Sequence, residues 1–250
     1  MNSLFIKVNQ TFTKQSFLAS VFFFFVLSSW YVLRPVRNEM AVSNVDNLPL
    51  LLAIGAIAML LVNPIYSWAA SKTNLRKLLT YCYLFFISNL LMFLFAWRVL
   101  DLEGVLWLGR AFYIWCNIYS FFVVSIFWVV IINVFRSSKT RNFYGVIMAG
   151  GSIGAFVGSE ISKRFSTSFN DYGLEFFSIS AIILLFFGLC VGLFLISSTN
   201  SNQNKESFKP LGGASFDGIK NALTKQDIRS IAIYVWLFTG LMTIHWMTAI

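Results

Sequence analysis

Apolar residues run along this chain in blocks of about twenty, and the polar residues gather in short islands between them. The first block, SFLASVFFFFVLSSWYVL, covers Ser16 to Leu33 without a charge. That is close to the roughly 20 residues needed to cross about 30 Å of hydrocarbon. The pattern predicts membrane helices at 16–38, 48–70, 76–97, 111–134, 143–163, 173–196 and 228–250. A signal peptide has a shorter apolar region, about 7–15 residues, and ends at a small-residue cleavage site. Here the block meets Arg34 and Pro35 instead, so it reads as a retained first helix.

The longest polar stretch is 197–225, SSTNSNQNKESFKPLGGASFDGIKNALTK. Rich in Ser, Asn, Lys and Gly, it reads as a linker, with 214–225 suited to a short amphipathic helix on the membrane surface. The expected organisation is a six-helix bundle over 1–196, a cytoplasmic linker over 197–227, and a seventh helix over 228–250. This is the layout of a transporter made of two six-helix halves. The last apolar run reaches Ile250 with no polar cap, so the chain is expected to be a fragment or truncated product whose second bundle is missing. The fold class expected is an all-α polytopic membrane protein.

Composition agrees with that pattern. Hydrophobic residues make up 58% of the chain and charged residues 12%, against about 25% charged in soluble domains. Thirteen of the Lys and Arg residues fall on the N-terminal side of the predicted helices and six on the other. Basic loops stay in the cytoplasm, so the N-terminus is expected there. The net charge of +9 mostly reflects this bias and gives no reason to expect a nucleic-acid partner. Cys82, Cys116 and Cys190 lie in three different apolar runs and fit neither a disulfide framework nor a metal site. No HExxH and no nucleophile–base set is present, so neither an enzyme nor a cofactor is expected.

The candidate chemistry begins at WYVLRPVRNEM, residues 30–40. Arg34 and Arg37, three apart on a continuing helix, are expected to share a face, with Asn38 and Glu39 beside them. Planar guanidinium donors suit phosphate or carboxylate oxygens. The competing reading is an interfacial anchor whose arginines snorkel to headgroups. The charge count places these arginines on the side poor in basic residues, so topology does not explain them. Asn117, deep in an apolar run, is a candidate for an interhelical hydrogen bond or substrate contact, and Asn133 sits at the opposite mouth. Gly150, Gly154 and Gly158 repeat every four residues and predict a close helix-packing face. Glu160 is placed for a local salt bridge with Lys163 or Arg164, or for a cavity-facing carboxylate. His245, the only histidine, is a candidate proton relay or an interhelical contact.

LRPVRNEM, VDNLPLLLAIGAIAMLL and VSIFWVVIINVFRSSKTRNFYGVIMAGGSIGAFVG together resemble the bacterial relatives of the ATP/ADP translocases. These nucleotide exchangers are distantly similar to the major facilitator superfamily, with two six-helix bundles. The resemblance implies that Arg34 and Arg37 serve the nucleotide phosphates and that the chain lies in a bacterial inner membrane. Asn38 and Asn133 stand where related sequences show acids. Ser71 and Asn74 replace the acid and the glycine of the loop signature after helix two. The expected function is secondary active transport of an anionic solute such as a nucleotide. The alternatives are a proton-coupled transporter of another organic solute, using Glu39, Glu160 or His245, and a truncated membrane protein that transports nothing.

Overall fold

The computed structural model describes residues 14–42, 47–100, 102–135, 143–166, 169–200 and 224–248. These form seven helices: α1 (Lys14–Val42), α2 (Leu48–Lys72), α3 (Leu75–Val99), α4 (Leu102–Val134), α5 (Tyr144–Ser166), α6 (Phe169–Asn200) and α7 (Gln226–Thr248). No strand occurs among the described residues. Five helices, α1, α3, α4, α5 and α6, are long and apolar enough to cross a membrane, and α2 carries a shorter apolar run, Leu48–Pro64. The chain is an all-α integral membrane protein.

Seven crossings were expected, and five are found among the described residues. Six of the seven helices are also longer than the apolar blocks that predicted them. Helix α1 continues through Pro35 to Val42, so the polar island Arg34–Glu39 is helical. Helix α4 begins at Leu102, nine residues before the expected 111, and takes in Trp107 and Arg110. Helix α6 runs to Asn200, so 197–200 is helix rather than linker. The rest of the linker, 201–223, and with it nearly all of the expected amphipathic segment, lies outside the described residues. Amphipathic residues explain the extensions: Trp, Arg and Asn are poor in hydropathy yet sit well at a helix end near the interface.

Helix α1 lies at the centre. It runs parallel to α5: Ser20 meets Val146 and Gly150, Phe24 meets Gly154, and Ser28 meets Gly158. It runs antiparallel to α4, where Phe23 stacks on Phe127 at 4.2 Å and Ser29 bonds Tyr119 at 2.7 Å. It is also antiparallel to α6, with Phe22 beside Gly192 and Phe25 beside Phe187. On the far side, α3 pairs antiparallel with α4 and with α6. Phe93 meets Phe112 edge-on at 5.2 Å, and Leu79 meets Gly192. The chain therefore alternates direction, and the C-terminal ends of α1, α3 and α5 share one face of the bundle with the N-terminal ends of α4 and α6.

The core is strongly aromatic. Phe22, Tyr83, Phe112, Tyr119, Phe127 and Phe177 are fully buried. In lipid no hydrophobic driving force joins the helices, so contact density and interhelical hydrogen bonds must hold them. The α1–α5 seam supplies both. A Cβ on Gly150 would stand 2.3 Å from the Ser20 carbonyl oxygen, and one on Gly154 would stand 2.3 Å from that of Phe24. Ser20 Oγ donates to the Val146 carbonyl at 2.9 Å, Ser28 Oγ to that of Gly154 at 3.0 Å, and Ser162 Oγ to that of Val32 at 3.2 Å. Gly150, Gly154 and Gly158 thus sit in a close-packing face. Described residues 224–242 of the α7 region are all exposed.

Candidate functional site

Side chains on a helix lean toward its N-terminus, so a residue near the C-terminal end of α1 reaches back into the bundle. Arg37 does this. Its guanidinium carbon lies 5.3 Å from the Trp30 ring centre, two turns earlier, and 6.0 Å from that of Tyr113 on α4. Nη1 donates to Asn117 Oδ1 at 3.1 Å. Nη2 and Nε donate to Asn38 Oδ1 at 2.9 and 3.3 Å. Asn117 lies 13 residues inside the α4 span that starts at Gly104, about 20 Å along the helix. It also lies seven residues, about 10 Å, beyond Arg110, so the tip of Arg37 reaches past the helix end into the bundle.

Among the described residues, every recorded partner of Arg37 is neutral: two amides and two aromatic rings. Amide oxygens and ring faces solvate a guanidinium, yet they supply no countercharge. A partly buried cation in that state keeps most of its desolvation cost, and an arriving anion recovers it. The rings extend the site into the bundle. Tyr119 stacks on Trp115 at 5.2 Å and lies 6.4 Å from Trp30. Trp115 Nε1 is buried with no hydrogen-bond partner.

Arg34 turns elsewhere. Three residues are about 300° of helix, so it lies about 60° round from Arg37. Because α1 is wedged between α4 and α5, that rotation is enough to change neighbours. Arg34 stands over the Tyr31 ring at 5.5 Å and lines a cleft on the α5 side. The single face expected for the two arginines divides into two seams, with Asn38 reaching both. Glu39 is exposed on α1.

The other candidates are dispersed. Asn133 Nδ2 donates to the Val129 carbonyl of its own helix at 2.8 Å, sixteen residues and about 24 Å from Asn117. Glu160 pairs with Arg164 at 3.0 Å, the local salt bridge. His245 is exposed on α7. Cys82, Cys116 and Cys190 are free thiols, and no cluster of metal-ligating residues occurs among the described residues.

Two features escaped the sequence. Arg98 and Glu175 form a two-pronged pair at 2.7 Å on each side, tying the end of α3 to the start of α6. Their 77-residue separation hides the partnership. The Ser29–Tyr119 bond is equally remote, at 90 residues. No family model, curated protein or solved structure matches the chain.

Proposed function

We propose that this chain is a bundle of a secondary active transporter for an anionic solute, and that Arg37 is the residue that grips the anion. The observation carrying this reading is the neutral cage of Arg37: a cation held inside an apolar bundle by Asn38, Asn117, Trp30 and Tyr113. Ionisable groups within membrane bundles mark substrate and ion pathways. The nearby aromatic faces of Trp30, Trp115 and Tyr119 suit a solute that carries a flat ring beside its charge. A nucleotide, the solute class that the sequence resemblance implies, meets both requirements.

The test is binding by the whole chain in nanodiscs, using radiolabelled ATP, ADP and inorganic phosphate. Saturable binding is expected, with a loss of roughly tenfold or more in Arg37→Gln, since hydrogen bonds to charged groups contribute about 1.5–3 kcal/mol. Lys72→Gln, at the other end of the bundle over Trp68, should leave it unchanged. Asn38→Asp is the sharper variant. It sets a carboxylate 2.9 Å from Nη2, giving Arg37 an internal countercharge. It should weaken anion binding and raise thermal stability together. The proposal fails if no anion binds, or if Arg37→Gln binds as tightly as the wild type.

A further inference from the structure

A separate cleft opens between α1 and α5, at the end of the bundle where Arg34 lies. Its volume is about 240 Å3, the liquid volume of about eight waters. Tyr31, Arg34 and Asn38 line it from α1, and Ser159, Ser162 and Lys163 from α5. Two of these are cations and none is acidic. The acids next to the lining are Glu160 on α5, engaged by Arg164, and Glu39, which follows Asn38 on α1 and is exposed. Ser162 spends its hydroxyl proton on α1 carbonyls, which fixes the two helices at the base of the cleft. Arg34 and Ser159 are exposed, so the opening is reached from outside the bundle.

What lies beside the cleft identifies its occupant. On α5, Ser152, Phe156, Ser159 and Lys163 follow one another at spacings of four, three and four, so they form one stripe. Phe156 is 70% exposed and Ile153 58%, and both point away from the bundle. The cationic mouth thus sits at a helix end, directly beyond an apolar surface one or two turns deeper in the membrane. That is the order of a phospholipid: a charged headgroup at the interface and chains alongside the hydrocarbon layer. The glycine seam behind it holds both walls at fixed separation.

We propose that this cleft binds the phosphate of an anionic phospholipid headgroup, with Arg34 and Lys163 as the paired cations and the Ser159 hydroxyl as a further donor. The site is distinct from Arg37 and does not depend on the transport reading. The Arg34 fork takes two phosphate oxygens, and Lys163 contributes a point charge from the opposite wall. The acyl chains lie along Phe156 and Ile153.

The experiment is native mass spectrometry of the whole chain released from phosphatidylcholine nanodiscs titrated with phosphatidylglycerol, with and without excess inorganic phosphate. Wild type should retain phosphatidylglycerol selectively. Arg34→Gln and Lys163→Gln should each lower the retained fraction, with affinity falling roughly tenfold or more, the worth of a charge-assisted bond. Arg34→Lys should keep part of it, and Lys72→Gln, at the other end of the bundle over Trp68, should keep all of it. Circular dichroism of each variant verifies the fold. Equal retention by wild type, Arg34→Gln and Lys163→Gln overturns the site. Displacement of the lipid by inorganic phosphate from wild type overturns the lipid as its occupant and makes the cleft a free-phosphate site.

Discussion

Replacing Gly154 with alanine adds one methyl group, and the structure fixes what it meets. The new Cβ would stand 2.3 Å from the Phe24 carbonyl oxygen and 2.8 Å from its Cα. Both are backbone atoms, so no rotamer change relieves the overlap. Restoring ordinary contact at about 3.4 Å requires α1 and α5 to separate locally by about 1 Å. A gap of that size forfeits a quarter to a half of the dispersion attraction of the atoms lining it. It also stretches Ser20 Oγ to Val146 O and Ser28 Oγ to Gly154 O, bonds of 2.9 and 3.0 Å. Interhelical bonds in membranes contribute about 0.6 kcal/mol each on average, and overpacking costs about 1–3 kcal/mol. The expected loss is therefore about 2–4 kcal/mol, reduced by up to about 1 kcal/mol of helix propensity gained from Gly to Ala. Gly145→Ala is the matched control, because a Cβ there meets nothing within 4 Å. Thermal unfolding in detergent, followed by a thiol-reactive dye, reads both. Cys116 is buried and reports the core, while exposed Cys190 is first changed to serine to remove background. If Gly154→Ala unfolds at the temperature of Gly145→Ala, the α1–α5 approach is not as close as described and the seam argument falls.

Two further predictions concern the contacts that sequence did not reveal. Ser29 Oγ donates its only proton to the Val26 carbonyl at 2.9 Å, so Tyr119 must be the donor in their 2.7 Å bond. Tyr119→Phe should then cost about 0.5–1.5 kcal/mol. Ser29→Ala, which leaves a buried tyrosine hydroxyl unsatisfied, should cost about 1–3 kcal/mol, and the same dye assay tests this order. For the α3–α6 pair, Arg98→Glu and Glu175→Arg should each lower the melting temperature and the double swap should restore it. Because both side chains are exposed, the effect should shrink in high salt, and a difference that persists there would assign it to packing rather than charge.

Helix existence was legible in the apolar blocks, because only a helix satisfies its own backbone in hydrocarbon. Helix ends were not. The nine extra residues at the start of α4 include Trp107 and Arg110, whose guanidinium carbon stands 4.6 Å from the Trp107 ring centre, and hydropathy scores such residues as loop. The glycine seam could be read from its four-residue repeat, since small residues at that spacing have no other common use in an apolar helix. Its complement could not. Ser20, Phe24 and Ser28 also recur at spacing four, but they are hidden in a run of phenylalanines whose orientation only the neighbours decide. The same reason separates Arg34 from Arg37. Sequence places them within 60° of one another, and the helices wedged on either side of α1 turn that small angle into two different environments. Asn117 and Asn133 were both candidates for substrate contact, yet one accepts from Arg37 and the other bonds back to its own helix.

The two seams of α1 differ in a way that bears on Arg37. Against α5 the contacts are backbone to backbone, across glycines and serine hydroxyls, and nothing there can repack without breaking. Against α4 the contacts are mostly side chain to side chain: Phe23 on Phe127, Trp30 near Tyr119, the Ser29–Tyr119 hydrogen bond, and Arg37 across to Asn117. Rings slide over one another at small cost, and an arginine can hold an amide through several rotamers. Displacing α1 together with α5 is therefore easier than parting them, and such a movement would shear the α4 and α6 seams. Arg37 is the main polar link across the α4 seam at its end of the bundle, and its partners there among the described residues are neutral. An anion that takes the guanidinium from Asn117 competes with the contact that ties α1 to α4. Under the proposed function, occupancy of the site and separation of those helices form a single equilibrium, the coupling that a carrier requires.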